Sequence, residues 1–376
     1  MHVGLNLIYL VPGETGGTET YARELIPELM AAEPGLRLTA FINRESAAAG
    51  DGCWTGFAEA VTVPISARRR TQWVRGEQQL LPGLAERAGV EVVHSLANTA
   101  PAWGRFRRVV TIHDLNHRIV PESHLGLLGI GMRGLVSLAA RRSHRIIADS
   151  HSTRRDLQRL LGIASDRVDV VPLGLGTSPP ATPASLPEIR QRLGLGDRSI
   201  VLTASAKRPH KNLARLIGAM ALIPAERRPV LVLAGYSTPH EVELRRRALD
   251  SSVAEDIRFL DWVPQQELEA LYAIAECFVF PSLYEGFGLP VLEAMARGVP
   301  VACSGRGALA EVVGDAALRF DPESERAIAT AIEHLLNNPA EAERLRLAGR
   351  ERAARFTWEA TAAGTLASYE RALGSG

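Results

Sequence analysis

Residues 280–295, FPSLYEGFGLPVLEAM, read as a buried strand ending at Pro281, a glycine-bearing loop and the start of a helix. Pro290 suits that start, because its missing N–H falls where a helix has no partner for one. The reading puts Glu285 on the loop and Glu293 in the first helical turn, at the positive end of the helix dipole. In an open α/β sheet such a loop lies at the carboxyl edge, where ligands bind. A carboxylate can accept two hydrogen bonds from a vicinal diol, so a ribose and a hexose are natural ligands for the two acids. The amides around Gly286, Phe287, Gly288 and Leu289 suit a diphosphate. By spacing alone Glu285 and Glu293 read first as a solvated loop residue and a dipole-compensating helix acid, and it is the surrounding loop that points to a site.

Away from this stretch, short apolar runs alternate with helical patterns. Residues 2–10, 38–43, 90–95, 108–112, 145–149 and 168–172 read as strands, and 199–206, 229–235, 257–263, 277–282 and 300–303 repeat the pattern. Such alternation calls for parallel sheets with helices on their faces. Between the two sets, residues 174–187 (GLGTSPPATPASLP) contain four prolines and resist both helix and ladder. The expected organisation is α/β: one parallel-sheet domain over 1–173, a linker over 174–196, a second parallel-sheet domain over 197–355, and a terminal helix over 356–376. That helix either packs on its own domain or crosses back to the first. Each half opens with a strand, a turn and a helix, the arrangement that presents free N–H groups to a phosphate, and two such domains make a cleft.

The 376 residues are 46% apolar and 23% charged, with 43 Lys plus Arg against 42 Asp plus Glu, the composition of a soluble globular protein. A net charge of +1 supplies no global field for a polyanion, so no nucleic-acid partner is expected. Cys53, Cys277 and Cys303 lie far apart and are odd in number, which argues for a reducing compartment and against a disulfide framework. The N-terminal apolar run lacks a basic leader and reads as a strand, so a cytoplasmic location is expected. Residues 125–140 are interrupted by four glycines and Arg133 and are too short to span a bilayer comfortably. No Asp-x-Asp occurs and no histidine clusters with cysteine, so neither a metal nor another cofactor is expected.

The string SLYEGFGLPVLEAMARGVPV (282–301) closely resembles the signature of the retaining GT-B glycosyltransferases of family 4, also called group 1. Weaker pieces agree in order: Gly16-Gly17-Thr18-Glu19, TIHDL with His113 and Asp114, IIADSHSTRRDL followed by VVPLGL, and the stretch from FLDWVPQQ onward. The stretch TIHDLNHRIVPE most resembles bacterial O-antigen-type mannosyltransferases. The resemblance implies two Rossmann-like domains facing a central cleft, the first binding the acceptor and the second a nucleotide-diphosphate sugar. It implies that Glu293 takes the donor ribose, that Glu285 contacts the transferred hexose, and that Lys211 neutralises the diphosphate as it leaves. Gly16 and Gly17 would let the backbone approach the phosphates, His113 would hydrogen-bond the sugar or acceptor, and Asp114 would orient its loop. The region containing Val263 would hold the base. His94 and His117 read as structural.

One position departs from the family. Where an arginine usually stands five residues before the lysine, this chain has Ala206, and the missing cation falls to Lys207, with Arg208 as second choice. The acceptor side rests on Ser66 to Arg75 (SARRRTQWVR), where Arg69, Arg70 and Trp73 offer a surface to an anionic or lipid-phosphate acceptor. Weak peripheral association with the inner face of a membrane follows from that reading, and a solvated surface loop is the alternative. The expected function is retaining, metal-independent transfer of a hexose, GDP-mannose being the first donor considered, to a saccharide, glycolipid or polyprenyl-linked hydroxyl. A UDP- or dTDP-sugar enzyme acting on a small molecule and a weakened sugar-nucleotide-binding module are the alternatives. A dehydrogenase is disfavoured, because the strand-turn-helix openings lack G-x-G-x-x-G.

Overall fold

A computed structural model describes residues 1–50, 52–120, 127–176 and 184–374. It divides into two compact units, Met1–Gly176 with Thr357–Gly376, and Thr177–Phe356. The first is built on strands β1 (His2–Asn6), β2 (Arg37–Ile42), β3 (Glu59–Thr62), β4 (Val92–Ser95), β5 (Arg107–Ile112), β6 (Arg145–Ala148) and β7 (Val168–Val170). Their order is β3-β2-β1-β4-β5-β6-β7, and every pair is parallel. Leu5 of β1 sits in register with Ala40 on one side and His94 on the other. Helices cover the sheet, so β1 is buried along its whole length, as continuous apolar strands of parallel sheets are.

The second unit is built on β8 (Ile200–Ala204), β9 (Val230–Ala234), β10 (Ile257–Phe259), β11 (Cys277–Phe280), β12 (Val301–Ser304) and β13 (Leu318–Phe320), in the order β10-β9-β8-β11-β12-β13. All pairs are again parallel. The order reverses between β1 and β4 in one sheet and between β8 and β11 in the other. Such switch points open a crevice at the carboxyl ends of the strands, which makes each a natural ligand edge. The core between the second sheet and its helices gathers Val201, Leu216, Ile217, Leu231, Val279 and Ile332, all fully buried. Burial of each such side chain contributes about 1.5–3 kcal/mol.

The terminal helix, Trp358–Gly374, packs on the first unit. The Thr361 hydroxyl donates to the Pro172 carbonyl at 2.8 Å, and the Tyr369 hydroxyl meets Nδ1 of His94 at 2.8 Å. Gly174 allows the backbone approach that starts this docking, since a Cβ there would stand 2.2 Å from the Trp358 nitrogen. Two strands, β3 and β13, lie outside the runs expected from sequence. β3 is an edge strand with exposed residues and β13 has three residues, so neither presents a buried apolar run. Residues 177–183 of the expected linker lie outside the described residues. Within its remainder, Leu186–Arg192 is a helix, which Pro187 permits because it stands in the first turn.

Glu77 is buried beside β1 in a wide helical turn, Gly76–Leu80. Its carboxyl accepts from Thr99 Oγ1 at 2.8 Å, Asn6 Nδ2 at 3.1 Å and Gln78 Nε2 at 3.0 Å. Burial nevertheless outweighs these bonds and pushes its pKa from 4.5 to about 7. A raised carboxyl pKa means that the folded state binds the proton more tightly than the unfolded chain. This group's contribution to stability is therefore complete below pH 4.5 and is lost as pH rises through about 7. Glu77→Gln should flatten that part of the pH dependence, read as a smaller difference between urea-unfolding free energies at pH 5 and pH 7.5 than in the parent.

Candidate functional site

In the second unit, β11 ends at Phe280 and the chain turns through Pro281–Gly288 into the helix Leu289–Ala296. Gly288 caps this helix at φ +119°, and a Cβ there would meet Leu309 Cδ2 at 2.5 Å, so glycine is required on both counts. Phe287 is buried edge-on against Phe356, with centroids 5.6 Å apart, and pins the loop. A second turn, Pro209–Lys211, is tied to the same loop: the Leu283 N–H and the Ser282 hydroxyl both donate to the His210 carbonyl, at 2.9 and 3.1 Å. Asn212, at φ +59°, extends the clamp by donating to the carbonyls of Pro281 and Pro322 at 3.0 and 2.7 Å.

This clamp brings Lys211 and Glu285 together. Lys211 Nζ lies 2.6 Å from Glu285 Oε1 and 5.2 Å from the centroid of the Phe280 ring. Both side chains are mostly but not wholly covered, about 15% exposed (16% and 14%). The pair is thus a cation and an anion held at a sheet edge where a ligand anion and a ligand hydroxyl can compete for them.

Glu293 requires a correction. The helix begins at Leu289, so Glu293 is in its second turn and receives little from the dipole at the amino end. Its position is fixed by side chains instead. Tyr272 donates its hydroxyl to Glu293 Oε2 at 3.3 Å, and Arg297 reaches the Glu293 carbonyl at 3.0 Å. Arg297 in turn makes a two-pronged pair with buried Glu269, at 2.5 and 2.6 Å, and lies 4.9 Å from the centroid of the Tyr272 ring. Burial pushes the Glu293 carboxyl above its usual range, with the Arg297 charge and the Tyr272 bond pulling it back.

The choice of Lys207 as the replacement cation is also corrected. Lys207 is fully buried, with Nζ donating to the carbonyls of Gly235 and Leu260 and standing 3.4 Å from Glu241. Burial lowers its pKa against the pull of Glu241. Its ammonium ties the ends of β9 and β10 together and is closed off from solvent, whereas Arg208 is exposed. Val263 follows β10, half-buried, next to Asp261, whose Oδ1 accepts from the N–H groups of Ser237 and Trp262 at 3.0 and 2.9 Å.

In the first unit, Gly16 caps the helix Gly17–Ala32 at φ +67°, with no side-chain cap, and a Cβ on Gly16 or Gly17 would meet only open space. That helix end therefore presents uncapped amides. His113 lies just past β5 with its Nδ1 2.8 Å from Asp149 Oδ2, its Nε2 2.8 Å from the Leu96 carbonyl and its N–H donating to Asn98 Oδ1 at 2.8 Å. Tyr21 meets the ring edge-on at 5.0 Å. Both ring nitrogens are thus engaged within the unit. Asp114 is half-buried and accepts from the Asn116 N–H at 2.9 Å, shaping the loop. Arg70 and Trp73 line an open pocket of about 450 Å³ with Tyr9, Ala67 and Arg68. Arg69 is exposed at the start of the helix Arg70–Arg75 and is not part of that lining.

Asp149, Tyr272 and Arg297 were not singled out in the sequence. Asp149 lies inside IIADSHST, but nothing local shows that it meets a histidine 36 residues earlier. Among the described residues no three His, Cys, Asp or Glu side chains gather as metal ligands. Among them, too, no helix is long and apolar enough to cross a membrane.

Two family models match the chain: glycosyl transferases group 1 over residues 186–352, and Glycosyltransferase Family 4 over residues 15–178. The O-antigen chain mannosyltransferase B of Escherichia coli is 34% identical over 268 residues, 70% of this chain and 70% of that protein. The MMP alpha-(1->4)-mannosyltransferase of Mycolicibacterium hassiacum is 32% identical over 238 residues, 62% of this chain and 56% of that protein, so this chain spans just over half of its length. Among solved structures, the sucrose-phosphate synthase from Thermosynechococcus elongatus superposes with a TM-score of 0.80 over 100% of both chains at 23% identity, a likeness of fold.

Proposed function

The chain belongs to the glycosyl transferases of group 1 and family 4, with the GT-B fold, and from that premise we propose that it moves a mannosyl residue from GDP-mannose to a saccharide hydroxyl with retention of configuration. The observation that carries the reading is the Lys211–Glu285 pair, 2.6 Å apart at the carboxyl edge of the second sheet. The mannosyl choice is supported by the two mannosyltransferase relatives.

In this reading Glu293, held by Tyr272 and Arg297, takes the ribose hydroxyls, and the amides from Gly286 to Leu289 cradle the diphosphate. Lys211 then turns from Glu285 toward the leaving phosphate, placing its charge where negative charge develops. Glu285 accepts from the hexose hydroxyls beside the reacting carbon. The bond from C1 to the phosphate oxygen breaks as C1 bonds the acceptor oxygen on the same face, and the acceptor proton passes to the departing phosphate oxygen. No separate protein base is needed. Arg208 supplies the second cation in place of the family's arginine, and no metal takes part. The acceptor is a saccharide, free or lipid-linked, met by the first unit through Asp114, Arg69, Arg70 and Trp73.

Binding to the folded state stabilises it by mass action, by about 2.7 kcal/mol at a hundredfold excess over Kd, and so raises the melting temperature. GDP should raise it, EDTA should not reverse the shift, and Glu293→Ala should abolish it. A shift with UDP or dTDP alone would reassign the donor. No shift with any nucleoside diphosphate, nor with GDP-mannose, would reject the site.

A further inference from the structure

We propose that Asp149 is the positioning residue that holds His113 as an imidazolium, making its ring a stationary positive charge at the carboxyl edge of the first sheet. The argument is one of donors and acceptors. His113 Nε2 faces the Leu96 carbonyl and Nδ1 faces an Asp149 carboxylate oxygen, each at 2.8 Å. A carbonyl and a carboxylate only accept, so both ring nitrogens must carry a proton. A neutral ring beside a protonated Asp149 has the same number of protons but leaves Nδ1 bare, and the raised proton affinity of His113 beside Asp149 favours the form with the charge on the ring.

The neighbouring His94 shows the contrast. It is fully buried, yet its nitrogens meet the hydroxyls of Tyr369 and Thr111, at 2.8 Å each. Hydroxyls both donate and accept, so a neutral ring is satisfied there, and burial takes the His94 pKa down to about 3. His113 moves the other way. Burial pushes its pKa down, but Asp149, the Leu96 carbonyl and Asp114 together outweigh it and raise the value. The groups facing the ring are therefore Leu96 and neutral His94 from β4, Asp114 from its own loop, Asp149 after β6 and the Tyr21 ring from the helix Gly17–Ala32.

Two further observations fit a fixed charge. Asp149 is only 2% exposed, and its Oδ1 is buried without a hydrogen-bond partner, so no other donor competes with His113 for its side chain. It also directly precedes Ser150, the cap of the helix His151–Leu161, where a negative charge is favoured. In the transfer reaction, and resting on the function proposed above, His113 then acts on an anionic group of the substrate through its charge and not through a ring hydrogen bond.

The test is spectroscopic and needs no substrate, so it stands apart from the donor assignment. In protein labelled with ¹⁵N-histidine, long-range ¹H–¹⁵N spectra read the protonation of each ring nitrogen, and His113→Gln identifies the signal. His113 should keep two protonated nitrogens at pH 7.5, a pH at which a free histidine is mostly neutral. In Asp149→Asn the amide can donate to Nδ1, so the neutral ring is satisfied and the shape is kept. The midpoint should then fall by at least one pH unit, a tenfold or greater loss of proton affinity. A wild-type His113 with a single protonated nitrogen at pH 7.5, or a midpoint unchanged in a folded Asp149→Asn, would overturn the proposal. If the variant fails to fold, the wild-type spectrum at pH 7.5 decides alone.

Discussion

Glu285→Gln should lower kcat for sugar transfer by about 10²–10³-fold while affinity for the nucleoside diphosphate is kept or improved. Glutamine has the shape of glutamate, so the Pro281–Gly288 loop, held by Phe287 and by the bonds to His210, stays in place. What changes is charge. Lys211 is paired with Glu285 at 2.6 Å, and removing that partner leaves the ammonium free for a diphosphate. An interaction needed in the transition state is lost while ground-state binding is not, which appears in kcat and spares Kd. Initial rates paired with calorimetric titration of GDP check this. Equal turnover in parent and variant would remove Glu285 from the chemistry, and a parallel loss of GDP affinity would make it a structural residue of the loop.

The largest effect on stability should come from Trp358→Ala. Trp358 is 1% exposed, stands 5.9 Å from Tyr21 between ring centroids, and begins the terminal helix that docks on the first unit. Truncating a buried tryptophan costs about 3–5 kcal/mol through lost transfer energy and the cavity left behind. Gly174 fixes the backbone against Trp358 too tightly for the site to collapse around the smaller side chain. The loss should fall on the first unit, whose sheet meets this helix through the Tyr369–His94 bond. Urea unfolding followed by probes placed in each unit should therefore show the first transition moving to lower denaturant and the second staying put. If both moved together, the helix would belong to a single cooperative whole.

The positions of most strands were legible because parallel strands buried on both faces read as unbroken apolar runs, and β1, β8, β9 and β11 are such runs. β3 and β13 escaped because an exposed edge strand and a three-residue strand need no such pattern. Glu285 and Lys211 were legible as candidates from the loop and turn chemistry around them, but their pairing was not. It arises from bonds between segments more than 70 residues apart. Glu293 was placed in the first turn because the sequence shows Pro290 as a starting residue and does not show that the helix begins one residue earlier, at Leu289, with Gly288 as the cap. Lys207 and Arg208 look interchangeable in a string of letters. Only the carbonyls of Gly235 and Leu260, delivered by two other strands, decide which of them is buried. Asp149 was unreadable for the same reason, since its partner comes from the adjacent strand end.

Transfer of mannose from GDP-mannose with retention, as proposed above, can be measured directly. The direct measurement is NMR of the product formed from GDP-[¹³C]mannose and a panel of mannoside acceptors, with GDP release followed in parallel. GDP release without added metal and a new glycosidic bond with the α configuration of the donor are the expected result. A β-linked product, or no GDP release from the folded protein with any acceptor of the panel, would contradict it.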